Sequence, residues 1–317
     1  MVLNTFLNRE SCLVFKRGSV NMQKKVLEEI LDNILRNLKK AGFVVENINY
    51  PENKRSIDVI GLYNNSRIMI KVTVDATHIS DIEVSDLKKA SQAYNASSIV
   101  VSRKYRKKEM DPEVVYKRKG INVVNEELLE KYVIKNEKPL VYEAQGNYLV
   151  RINPEKFREK RIELGLSLGE LADKIGVTRK AIYNYEHGKI GVTINTAIKI
   201  AEIMGIDVFK PVDLFKPEKI EVKEEFSPRN KIEELLYRAC SLRGLKLYKL
   251  LRTPIDYVLK GARNPISIIN YRKDPEKIRV KVEEATRIAR ITGSKEIIIR
   301  NIDDVKEIKK YLEETLF

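Results

Sequence analysis

The segment LSLGELADKIGVTRKAIYNYEHGK, residues 166–189, holds two short helical patterns separated by Ile-Gly-Val, and the reading of the whole chain turns on it. Ser167-Leu168-Gly169-Glu170 is a capping-box sequence, in which the Ser hydroxyl takes one orphan backbone N–H and the Glu carboxylate reaches back to the Ser amide. A helix therefore starts at Leu168. Leu168, Leu171, Ala172 and Ile175 recur at three-to-four spacing and give that helix one apolar face. Gly176 supplies the left-handed residue that ends it, Thr178 caps a second helix, and Ile182 and Tyr185 form the inward side of that second helix. Its outer side is left with Thr178, Arg179, Lys180, Tyr183 and Asn184.

Two helices crossing steeply through a three- or four-residue turn need a small residue where their backbones meet and a glycine in the turn. Ala172 and Gly176 stand at those places. FREKRIELG (157–165) and TAIKIAEIMGID (196–207) supply flanking helices. On these residues, 154–207 resembles the Cro/repressor class of helix-turn-helix domains, the XRE family, and the resemblance implies a five-helix DNA reader. Arg pairs bidentately with guanine, Asn with adenine, and Tyr or Lys holds a phosphate. The candidate DNA-binding residues are Ser167, Thr178, Arg179, Lys180, Tyr183, Asn184 and Lys189. His187, in YEHGK, is read as a residue that ends the helix favourably with its dipole, not as a metal ligand.

The rest of the chain is too long for one such module. Its 317 residues suggest two or three domains. Lys and Arg number 60 against 45 acids, a net +15 that favours a polyanionic partner. The excess is spread as +6 over residues 1–150, +2 over 151–215 and +7 over 216–317, so no segment is a basic tail. Cys12 and Cys240 stand far apart and form neither a disulfide framework nor a zinc motif, which fits a reducing cytoplasm. No run is long and apolar enough for a membrane span, and residues 1–21 are interrupted by Asn8, Arg9 and Glu10, unlike a signal-peptide core. They read as an arm, with Met22 as an alternative start.

From Asn21 a helix is predicted, then strands at 44–50, 56–63 and 67–74, a helix through SDLKKASQAYN and a strand at SSIVVS. The order α-β-β-β-α-β returns near the C-terminus, where SIDVIG is answered by PIDYVL and SSIVVS by KEIIIR. A duplicated unit is expected. An Asp on the second strand and a Lys on the third, Asp58 and Lys71, make this order resemble the restriction-endonuclease-like fold. That family holds Mg²⁺ with two carboxylates, and the Lys positions the attacking water. Here the acid expected two residues before Lys71 is Met69, and PISIINY in the second copy has neither acid nor Lys in place. A site short of one ligand loses its metal, so Asp58 and Lys71 are read as a degenerate remnant, with no metal and no cofactor expected. Asp75, Glu28 and Glu29 remain as displaced carboxylates. RKYRKK contributes a second basic patch, Arg103, Lys104, Arg106, Lys107 and Lys108, suited to phosphate contact or to plain solvation.

MIKVTVDA, VVYKRKGINVVN, KPLVYEAQGNYLVRI and the helix-turn-helix stretch together resemble a group of archaeal proteins assigned as helix-turn-helix transcriptional regulators. The expected class is α/β plus all-α: a central five-helix Cro/repressor-like domain flanked by two restriction-endonuclease-like domains. The segments are an arm (1–21), an α/β domain (22–138), a hairpin connector (139–153), the helix-turn-helix domain (154–215), a charged linker (216–230) and a C-terminal α/β domain (231–317). The implied activity is non-enzymatic: sequence-specific binding of double-stranded DNA by a cytoplasmic homodimer reading an inverted repeat. The alternatives are a Mg²⁺-dependent structure-specific endonuclease and a factor docking on the ribosome or RNA polymerase.

Overall fold

The computed structural model describes residues 4–217, 226–261, 264–271 and 276–315, with the side chains of 4–21, 311 and 313–315 outside the description. In chain order the elements are α1 (Asn4–Lys40), β1 (Val44–Asn47), β2 (Val59–Tyr63), β3 (Ser66–Asp75), α2 (Asp81–Tyr94), β4 (Ala96–Tyr105) and β5 (Lys108–Glu109). Next come β6 (Val114–Arg118), β7 (Ile121–Val124), α3 (Glu126–Ile134), β8 (Val141–Ala144), β9 (Asn147–Val150), α4 (Pro154–Glu163), α5 (Leu168–Ile175), α6 (Arg179–Glu186), β10 (Val192–Thr193) and α7 (Ile194–Met204). The chain ends with α8 (Lys231–Ser241), β11 (Lys246–Lys249), β12 (Tyr257–Lys260), β13 (Ile266–Asn270), α9 (Ile278–Thr292), β14 (Lys295–Ile299) and α10 (Ile302–Thr315). Two compact units result, one of residues 1–109 with 215–317, the other of 110–214.

The first unit contains the same device twice. β1-β2-β3-β4 and β11-β12-β13-β14 are both four strands in sequence order, the first two pairings antiparallel and the third parallel. The register repeats as well. Ile70 pairs with Val59 and Ile99 where Ile268 pairs with Tyr257 and Ile297. A parallel pair needs a crossover, and α2 and α9 provide it. Both helices stop on a left-handed residue, Asn95 with φ 52° and Gly293 with φ 68°. By this alignment Asp58 corresponds to Asp256, Met69 to Ser267, Lys71 to Ile269, Glu83 to Lys281 and Asp86 to Glu284.

The halves associate reciprocally. α9 lies on β1 and β2, while α2 lies on β11 and β12. Glu284 accepts the backbone N–H of Asn49 (2.8 Å), and Asp86 accepts those of Leu251 and Arg252 (3.0 and 2.6 Å). Each helix end is capped from the opposite half: Lys260 donates to the Gln92 carbonyl and Arg67 to that of Ile291. Residues 4–21, expected as an arm, continue α1 as helix. Of the expected linker, 218–225 lie outside the described residues. α10 had no counterpart in the sequence reading.

In the second unit, β7-β6-β8-β9-β10 form a sheet beside five α-helices, of which α4 to α7 make the helix-turn-helix domain. The flanking helix expected over 196–207 ends at Met204, and a single 3-10 turn at Ile206–Val208 follows it, where Gly205 enters at φ 83° and Phe209 is already extended; a fifth α-helix is not among the described elements of the domain. The hairpin read as a connector packs into the reader itself. Val150 and Ile152, alternating inward, join Phe157, Leu171, Ile175, Ile182, Tyr185, Val192, Ile200 and Met204 in one core, and β9 pairs with β10.

Candidate functional site

α5 and α6 form where the caps place them. Ser167 Oγ accepts the Glu170 N–H and Glu170 accepts the Ser167 N–H, closing the capping box. Those hydrogen bonds hold the exposed Glu170 carboxyl below its ordinary value. Gly176 turns the chain at φ 80°, and Thr178 Oγ1 accepts the Ala181 N–H to open α6. Lys199 on α7 donates to the Ile175 carbonyl and closes the end of α5.

α6 is pinned from behind. Ile182 and Tyr185 are buried, and Arg161 of α4 bonds Glu186 (2.6 Å) and the Leu166 carbonyl (2.7 Å). Arg161 and Glu186 side chains are 14% and 6% exposed, so this pair is a structural tie and not a solvated surface bridge. The opposite face is open. Ser167, Thr178, Arg179, Lys180, Tyr183 and Lys189 are exposed, and Asn184 is half-buried. Six of the seven predicted residues therefore meet solvent on one module. The Ser167 hydroxyl accepts within its cap and keeps its own proton for donation. Sequence reasoning missed the contact between Tyr183 and His187, whose rings stack 4.0 Å apart. Their four-residue spacing on a helix was the available signal.

The basic patch divides. β4 and β5 form a hairpin whose tip, Arg106 and Lys107, has φ 54° and 64°. Arg103 pairs with Glu29 (3.2 Å) and Lys104 with Glu109 (3.2 Å), while Arg106, Lys107 and Lys108 are exposed. Asp75 anchors the tip by accepting the Lys107 N–H (2.8 Å). Burial alone would raise its carboxyl, but bonds from Thr77 and Lys107 outweigh that and hold it below the ordinary value.

Asp58 and Lys71, the pair that carries the nuclease-like pattern, lie among further cations. Asp58, 4% exposed, takes Arg55 on Oδ1 (2.5 Å) and both Lys71 (3.0 Å) and the Val72 N–H (2.7 Å) on Oδ2. Glu83 on α2 stands 3.6 Å from Lys71, yet its other oxygen closes the capping box with Ser80 and faces Arg252 (3.7 Å). The displaced carboxylates proposed from sequence are engaged elsewhere, Asp75 at the hairpin, Glu29 with Arg103 and Glu28 near Lys24. Met69 is fully buried. Mg²⁺ needs oxygen ligands with free lone pairs. This donor set, with three cations on two carboxylates, does not fit it. Among the described residues no cluster of three His, Cys, Asp or Glu is placed to hold a metal.

Each of the two buried clusters is approached from the other half. Arg252, on the loop after β11, reaches Glu83 and Ser80 of the first half. The residue corresponding to Arg252 is Tyr50, whose ring lies 6.0 Å from the Lys281 ammonium of the second half. Lys281 in turn bonds Asp256 (2.5 Å), the two side chains being 2% and 4% exposed. Cys240 is buried among apolar neighbours, which pushes its thiol up to about 12 and leaves it inert. Cys12 lies outside the described side chains.

Comparison with known proteins agrees with both architectures. Residues 27–139 match the PD-(D/E)XK superfamily domain and residues 157–210 the helix-turn-helix family. A protein of Aeropyrum pernix is 30% identical over 90% of this chain and 93% of its own. One of Saccharolobus islandicus is 33% identical, and one of Pyrococcus furiosus 29%, each over 88% of both chains. All three bear the provisional name HTH-type transcriptional regulatory protein. No solved structure matches. No described helix is long and apolar enough to cross a membrane.

Proposed function

The chain belongs to this family of archaeal HTH-type transcriptional regulatory proteins, and from that premise we propose that it reads double-stranded DNA through α6 as a sequence-specific homodimeric regulator without nuclease activity. The observation that carries the reading is the exposed face of α6, with Arg179 and Lys180 in its first turn and the half-buried Arg161–Glu186 pair behind it. Recognition helices present their N-terminal residues to base edges in the major groove. Asn184 and Arg179 are the base readers, and Ser167, Thr178 and Lys180 hold the backbone.

One helix-turn-helix module buries about 600–1,000 Å² on DNA, so useful specificity calls for two. A homodimer supplies them, with recognition helices about 34 Å apart on an inverted repeat. The faces of α2 and α9 are consumed inside the chain, so the homodimer contact lies on another surface.

Selection of bound fragments from genomic DNA identifies the site. On it, Arg179→Ala or Asn184→Ala costs about 1–3 kcal/mol of discrimination. Replacing Arg106, Lys107 and Lys108 by Ala weakens all duplexes alike and flattens the salt dependence. Equal losses on every sequence from both sets would remove the reader assignment. Mg²⁺-dependent nicking abolished by Asp58→Ala would remove the non-catalytic one.

A further inference from the structure

We infer that Tyr183, His187 and Lys189 form one pre-assembled site for a DNA phosphodiester at the far end of α6, with His187 as its positioning residue. The inference rests on α6 being the recognition helix. Taken singly, Tyr183 and Lys189 are two surface side chains and His187 is a helix terminator. The structure joins them. The Tyr183 and His187 rings stack at 4.0 Å with 29° between their planes. His187 Nδ1 lies 2.7 Å from the Tyr183 carbonyl, which can only accept, so Nδ1 carries the proton and the ring is locked to the helix end. The Lys189 ammonium sits 5.1 Å from the centre of the Tyr183 ring.

The backbone enforces this arrangement. The Lys189 N–H bonds the Asn184 carbonyl (3.0 Å) and the Gly188 N–H that of Tyr185 (3.1 Å), the paired bonds of a Schellman end. Gly188 is left-handed, with φ 62°, and a Cβ there would meet Pro154 at 3.0 Å. The chain must therefore fold Lys189 back toward Tyr183.

A phenol O–H and an ammonium are donors suited to phosphate oxygens. Lysine loses much rotamer freedom on being ordered, and a ring that holds it beforehand lowers that cost on binding. Glu186, the carboxylate on the same helix, does not compete, because it is tied to Arg161. Placement fits too. An eight-residue helix is about 12 Å long, close to the ~12 Å width of the major groove. With Arg179 at the base edges, the Lys189 end reaches the groove wall, where the phosphates run.

The test uses the full chain and a random-sequence duplex of fixed length, with affinity followed against salt. Lys189→Ala lowers the slope of log affinity against log salt by about one. His187→Ala gives most of the same loss although it removes no lysine, His187→Phe restores it by keeping the stack, and Tyr183→Phe weakens binding without changing the slope. His187→Ala with Lys189→Ala loses no more than Lys189→Ala alone, since the two act as one unit. A His187→Ala protein with wild-type affinity and slope, or losses that add in the double variant, would overturn the inference. Thermal melts of all variants should match wild type, because the three side chains are exposed. Failure of the recognition-helix reading is seen separately, as a wild-type protein that binds no duplex at any salt.

Discussion

The two halves of the α/β unit place an aspartate at the same point of the same strand and neutralise it from different elements. Asp58 is met by Lys71 from β3 and by Arg55, whereas Asp256 is met by Lys281 from α9. In the first half the position corresponding to Lys281 is Glu83, and in the second that corresponding to Lys71 is Ile269. In both halves the aspartate also accepts the backbone N–H at an equivalent point of the next strand, Val72 and Asn270 (both 2.7 Å). What both halves keep is a buried carboxylate with a cation beside it. Which strand or helix supplies the cation is free to change. The pairing is what packing demands, since a buried charge without a partner is far costlier than a paired one.

This comparison can be broken most directly at Lys281. Lys281→Met takes the ammonium at 2.5 Å away from the buried Asp256, and should destabilise the protein by about 3–5 kcal/mol. The corresponding change at Asp58, Lys71→Met, should cost only about 1.5–3 kcal/mol, because Arg55 remains at 2.5 Å. Urea titration of both variants checks the order. Equal losses would mean that Arg55 does not shield Asp58.

The seam gives the next effect. Asp86 is raised above the ordinary carboxylate value by burial, which outweighs the bonds it accepts from Arg252, Leu251 and Ser56. A carboxyl raised on folding adds stability that is fully present below its unfolded value and is lost as pH rises through its folded value. Asp86→Asn should therefore remove part of the fall in stability that sets in as pH rises above the ordinary carboxylate value. An unchanged pH profile in denaturation experiments would show that Asp86 is not the group responsible.

The smallest effect sharpens the equivalence of the halves. Asn95 and Gly293 end matching helices in the left-handed region, and a Cβ at Gly293 would meet nothing within 4 Å. Asn95→Gly and Gly293→Asn should each shift stability by less than about 1 kcal/mol. A larger loss at Gly293, measured by melting, would mean that the two turns are not interchangeable.

The reader was legible because its information is local. Ser167, Glu170, Gly176 and Thr178 act on neighbours within a few residues, and the structure places each where its chemistry requires. The repeat was legible through SIDVIG and PIDYVL, which became β2 and β12 with their flanks. Glu83 could be seen only as the end of a capping box, Ser80-Asp81-Ile82-Glu83. Nothing in its neighbourhood announces Lys71 or Arg252 beside it. Lys281 and Asp86 were invisible for the same reason, as their partners lie on other elements.

By itself, then, the order of residues determined the helix-turn-helix, its outward side chains and the duplicated α-β-β-β-α-β pattern, because caps, turns and periodicity are set by bonds a few residues long. Only the tertiary structure decided that Arg252 of one half reaches Glu83 of the other, that a hairpin belongs to the reader's core, and that Glu83 and not Asp75 stands at Lys71. Those outcomes depend on which distant surfaces can bury a charge together with its counter-charge, and no local pattern encodes that choice.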